Sequence, residues 1–134
     1  MTQPPIPGFI AGPTQPEGQV LNRITGQLNS QGLRQRDSIT ASTYTLAAGD
    51  AGAYLPMNSS GAQTVTVPPN SSVPFPIMTV VTFEQLAAGA TTLVAGAGVT
   101  LNASGSKVAS NGANAVMSIV QRDLNVWTLI GDRA

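Results

Sequence analysis

The sequence predicts an all-β fold: an antiparallel sandwich or small barrel of about eight or nine short strands, behind an extended, proline-rich N-terminal arm. Three observations carry this expectation. From Ser38 onward, short segments rich in Val, Thr, Ile and Tyr recur at intervals of roughly 8–12 residues, with Gly, Asn, Ser and Asp clusters between them. Only 9% of the residues are charged, and the abundant Thr, Ser, Gly and Ala suit strands and turns better than long helices. In Thr64-Val65-Thr66-Val67 the valines share one face and the threonines the other, the pattern of a half-buried strand. Pro68-Pro69 then ends that strand, because proline cannot donate to a sheet ladder.

The chain divides into an arm and linker over 1–37 and a β domain over 38–134. Five of the ten prolines (Pro4, Pro5, Pro7, Pro13, Pro16) fall in the first 18 residues, so that stretch is expected to be extended or polyproline-like. Ile6, Phe9 and Ile10 are large apolar groups that a purely solvating tail does not need, and they mark the arm as a surface for attachment. Over 18–30, Val20, Leu21, Ile24 and Leu28 fit one face of a short helix. An irregular linker is the alternative, because Gly26 weakens the run and Gly32 would end it. The expected partner-binding residues are therefore Pro4, Pro5, Ile6, Pro7, Phe9, Ile10, Val20, Leu21, Ile24 and Leu28.

Expected strands follow at Ile39–Leu46, Ala53–Met57, Gln63–Val67, Ile77–Gln85, Thr91–Val94, Val99–Asn102, Lys107–Ser110, Ala115–Gln121 and Val126–Ile130. The Ile77–Gln85 segment is apolar on both faces, as in a strand that is central in a sheet or faces a subunit. In the last hairpin, Met117 and Ile119 answer Trp127 and Leu129. Trp127 is expected in the core, with a ligand platform as the other use of its indole. Only three Phe, two Tyr and one Trp are present, so the core is thin. Such a domain gains further burial by oligomerising.

Composition excludes several chemistries. Without cysteine there are no disulfides or thiolate metal sites, and without histidine the commonest metal ligand and general base are missing. The acidic residues Glu17, Asp37, Asp50, Glu84, Asp123 and Asp132 never fall at i, i+2 or i+3 spacing, so no paired-carboxylate or calcium-loop pattern is readable. Gly96-Ala97-Gly98 lacks the lysine and following helix of a phosphate cradle. Lys107 is the only lysine available to activate a serine. No enzyme, cofactor or metal is expected. Asp50 reads as a turn former, and Asp132 as a strand cap or a partner of Arg133. The six basic residues are scattered and balanced by six acidic ones, so neither nucleic acid nor a membrane is an expected partner. With no signal-like or membrane-length apolar run, a soluble protein without a conventional export signal is expected.

Leu46-Ala-Ala-Gly-Asp-Ala-Gly-Ala-Tyr-Leu, Gln63-Thr-Val-Thr-Val-Pro-Pro-Asn, Phe83-Glu-Gln-Leu-Ala-Ala-Gly, Val94-Ala-Gly-Ala-Gly-Val-Thr-Leu-Asn and Trp127-Thr-Leu-Ile-Gly-Asp occur in that order. Together they resemble a β-rich module of tailed-bacteriophage virion proteins, found in head-decoration or head-fibre proteins and in tail fibres. The resemblance covers about residues 38–134 and leaves 1–37 unmatched. It implies a non-catalytic virion structural protein, trimeric, on the capsid surface, with its N-terminal part attached to the major capsid protein or another virion protein. A tail-fibre or baseplate module that binds host glycan through Tyr44, Tyr54 or Trp127, or docks another tail protein, is the alternative. A depolymerase with carboxylates converging across a trimer is a third.

Overall fold

The computed structural model describes residues 34–134; the expected arm, the possible helix over 18–30 and all ten expected partner-binding residues lie outside them. Nine strands form a six-stranded sheet in the order β1-β3-β5-β8-β9-β7 and a three-stranded sheet in the order β2-β4-β6. The strands are β1 (Arg34–Gln35), β2 (Thr43–Thr45), β3 (Ala53–Met57), β4 (Gln63–Val67), β5 (Val80–Gln85), β6 (Thr91–Ala95), β7 (Thr100–Ala103), β8 (Val116–Asp123) and β9 (Val126–Gly131). The all-β expectation holds.

The antiparallel arrangement does not. Among the described residues, five of the seven strand pairings are parallel. Strands β1 to β6 alternate between the two sheets, so each returning strand lies parallel to its predecessor two steps back. Thr43, Thr64 and Thr92 stand in one register across β2, β4 and β6. The result is three stacked coils of a parallel β-solenoid. Parallel pairing ordinarily needs a long crossover, and here the strand in the opposite sheet supplies it. Only β8, antiparallel to both β5 and β9, breaks the winding.

Local chemistry moves several boundaries. β1 lies within the expected linker, and the compact unit begins at Arg34, upstream of Ser38. β5 starts at Val80 and not at Ile77 because Met78 has φ of 73°, a conformation foreign to a strand. The first expected strand shrinks to β2, with Ile39 making only an isolated bridge to Met57. Residues 107–110 form no strand: Ala109 and Ser110 make single bridges to Thr92 and Arg133.

The inward residues of the two sheets form one core that includes Leu55, Val65, Phe83, Leu93, Ile119 and Trp127. Trp127 is 1% exposed and meets Phe75 edge-on, with ring centroids 5.6 Å apart. Polar groups fasten the corners. Gln63 Nε2 donates to the carbonyls of Ile39 and Ala41. The buried Ser110 hydroxyl donates to Gln85 Oε1 at 2.5 Å and accepts the Thr91 N–H at 2.8 Å. Asp50 is fully buried in a 3-10 turn, Ala48–Asp50. Its carboxylate accepts from Arg36 (2.6 Å), the Tyr44 hydroxyl (2.7 Å) and the Ala47 N–H (2.8 Å), so it fastens the corner after β2 to the residues of coil 1 as well as forming a turn.

Candidate interaction surface

The two outer sheet faces differ in chemistry. On the three-stranded sheet, strand alternation points Thr43, Thr45, Thr64, Thr66, Thr92 and Val94 outward, a face of hydroxyls with one valine. On the six-stranded sheet, the outward residues of β5, β8 and β9 include Val80, Val116, Val120, Val126 and Ile130, interspersed with Thr82, Ser118 and Thr128. Val116 and Ile130 are 38% and 52% exposed. Strands β8 and β9 thus alternate aliphatic and hydroxyl groups outward, whereas β5 presents Val80, Thr82 and Glu84 there, and Ile77 and Met78, which the sequence places on that segment's two faces, precede the strand.

The N-terminal end of β5 carries a second apolar group. The connection from β4 to β5 runs through Pro74-Phe75-Pro76 and is pinned from several sides. Gln121 Nε2 donates to the Phe75 carbonyl, the Met78 N–H donates to the Gln121 carbonyl at 2.6 Å, and the Asn70 N–H donates to Asn125 Oδ1. Thr79 Oγ1 donates to the Pro76 carbonyl at 2.6 Å. The loop thereby holds Ile77 and Met78, 49% and 66% exposed, beside the β8–β9 turn that bears Arg122, Asp123 and the exposed Leu124. A left-handed backbone at a bulky residue costs of order 1–3 kcal/mol and persists only where its surroundings enforce it.

Two tyrosines, Tyr44 on β2 and Tyr54 on β3, are bonded to carboxylates. The Tyr44 hydroxyl donates to Asp50 and the Tyr54 hydroxyl to Glu84 (2.5 Å). Burial, followed by the hydrogen bond and charge of the neighbouring carboxylate, pushes each phenol up to about 12 from an ordinary 10. Because the folded state holds these protons more tightly, their contribution to stability is complete below pH 10 and is lost as pH rises through about 12. Urea denaturation midpoints are therefore expected to fall across that window, and a Tyr44→Phe/Tyr54→Phe variant to show a shallower fall. Equal slopes for the two proteins would contradict the assignment.

The expected roles of the remaining polar residues resolve differently. Trp127 is in the core, so it offers no stacking platform for a sugar. Asp132 accepts from Asn111 Nδ2 at 3.1 Å, while Arg133 donates to the carbonyls of Ser104 and Lys107, so those two neighbours do not pair. Among the described residues no cluster of three or more Asp or Glu is placed to hold a metal ion. The described residues also contain no helix long and apolar enough to cross a membrane. The outer face of the six-stranded sheet was only partly visible in sequence: alternation in the β5 segment marks it, but nothing local reveals that β8 and β9 extend it. No family model matches the chain, and no match was found among curated proteins.

Proposed function

We propose that the protein is a bacteriophage virion structural protein, a capsid decoration or short head-fibre protein that assembles as a homotrimer and attaches through its N-terminal arm. The reading rests on the resemblance of the ordered segments to the phage virion module. They fall on consecutive strands and corners of the solenoid: Leu46–Leu55 joins coil 1 to coil 2, Gln63–Asn70 contains β4, and Phe83–Gly89 spans the turn into β6. Its role is mechanical. The arm supplies Ile6, Phe9 and Ile10 to pockets on the capsid subunits, and linking three arms in one trimer raises avidity without any new contact. The tail-fibre alternative has less support, because burial of Trp127 removes the strongest aromatic candidate for glycan stacking.

The test is co-sedimentation of the purified protein with capsids that lack it. Wild type is expected to pellet with the capsids, and the Ile6→Ser/Phe9→Ser/Ile10→Ser variant to lose binding by at least about tenfold. Failure of the wild type to bind, or undiminished binding of the variant, would overturn the reading. Copy number in purified virions separates the two locations, high for the head and low for the tail.

A further inference from the structure

One turn of the β domain combines a reactive residue pair with an unshielded backbone. When glycine follows asparagine, the glycine's main-chain nitrogen can attack the asparagine Cγ, because a residue without Cβ leaves that nitrogen unhindered. Asn111-Gly112 is the only Asn-Gly pair in the chain. It lies outside the strands, between Ser110 and β8, with Asn111 exposed to water. Among the described residues the Gly112 N–H has no hydrogen-bond partner, and nothing lies within 4 Å of the place a Cβ would take there. The nucleophile is therefore neither tied up nor covered.

The amide it would attack also holds a structural contact. Asn111 Nδ2 donates to Asp132 Oδ1 at 3.1 Å, and the Asn111 N–H donates to the Asp132 carbonyl at 3.3 Å. With the Ser110–Arg133 bridge and the bond from the Ala134 N–H to the Ala109 carbonyl at 2.8 Å, they fasten residues 132–134 along 109–111. Arg133 is turned to the carbonyls of Ser104 and Lys107, so the Asp132 carboxylate faces a neutral donor and not a cation.

We propose that Asn111 is a site of spontaneous deamidation in the folded protein, and that its conversion loosens the strap formed by residues 132–134. The Gly112 nitrogen bonds to Asn111 Cγ, its proton is lost to solvent, and the side-chain nitrogen leaves as ammonia, closing a cyclic imide. Water then opens the ring at either carbonyl, giving aspartate or isoaspartate, and no oxidant takes part. Either product sets a carboxylate opposite Asp132 where an amide donated, so attraction turns into like-charge repulsion. Isoaspartate also routes the main chain through Cβ. That lengthens the turn into β8 and displaces the Gly112 carbonyl, which accepts from the Ala115 N–H.

The purified full chain, held folded in mildly alkaline buffer, is digested and mapped by mass spectrometry, with isoaspartate detected by its selective methylation. Conversion at Asn111 is expected to run at least about tenfold faster than at Asn58 or Asn70, whose following serines crowd the attacking nitrogen. Asn111→Gln, whose longer side chain disfavours ring closure, is expected to abolish it, with circular dichroism confirming the fold. Asn111→Asp imposes the charge change directly. Hydrogen exchange at the Ala134 N–H should then quicken at least about fivefold, the loss of one exposed hydrogen bond. Exchanging the two groups in Asn111→Asp/Asp132→Asn should restore protection. An Asn111 that stays intact, or converts no faster than Asn58 and Asn70, would overturn the modification site. Unchanged exchange in Asn111→Asp, or an exchanged pair that fails to restore protection, would overturn its link to residues 132–134.

Discussion

Replacing Trp127 by alanine is expected to destabilise the fold by about 3–5 kcal/mol. Its indole is 1% exposed and pairs across the β8–β9 ladder with Gln121 on one side and across the parallel β7–β9 ladder with Leu101 on the other. Removing it also takes away the partner against which Phe75 packs edge-on. Because Phe75 anchors the β4–β5 connection, the loss should spread to the Ile77–Met78 loop. Urea denaturation gives the magnitude, and hydrogen exchange at Met78 and Thr79 reports the loosened loop. A loss below about 1 kcal/mol would mean that the site collapses without a cavity.

Gly89→Ala is the second large effect. A Cβ at this position would stand 1.8 Å from the Gly61 carbonyl oxygen and 2.7 Å from that of Ser59. Both are backbone atoms of the preceding coil's corner, to which the Gly89 N–H already donates at 2.9 Å. No side-chain rotation relieves the clash, so the two corners must separate and lose that hydrogen bond. The expected cost is about 3–4 kcal/mol, at the upper end of overpacking effects. Gly98→Ala provides the contrast. Nothing lies within 4 Å of its Cβ position, but φ is +77°, so only backbone strain of about 1–2 kcal/mol applies. Equal melting temperatures for the two variants would refute the stacking argument.

Strand positions were far more legible in the sequence than strand partners. Ala53–Met57 and Gln63–Val67 fall where alternation and flanking turn residues place them, because both signals are local. Pairing direction depends on which sheet the next strand joins, and neither periodicity nor turn composition encodes that choice. A solenoid announces itself by a fixed repeat, and this one lacks it. The separation from Thr43 to Thr64 is 21 residues but from Thr64 to Thr92 it is 28, since the Pro68–Thr79 connection lengthens one coil. Of the candidate surface, the alternation of the β5 segment was readable, whereas its continuation over Val116 and Ile130 requires the register of β8 and β9. The fastening at Asp50 was legible only as a turn; that Arg36 and Tyr44 converge on it is a consequence of the path of coil 1.

The reversed direction of β8 changes what the next rung can be. A stack of like coils offers its last rung as a template for the first rung of another molecule, and unprotected templates of that kind propagate into filaments. Here β8 occupies the place beside β5 where a fourth rung of the same sense would begin, and residues 107–110 lie along the corresponding margin of β6. The reversed β8 therefore interrupts the same-sense stacking next to β5, and the edge of the sheet at this end is β7, which pairs with β9.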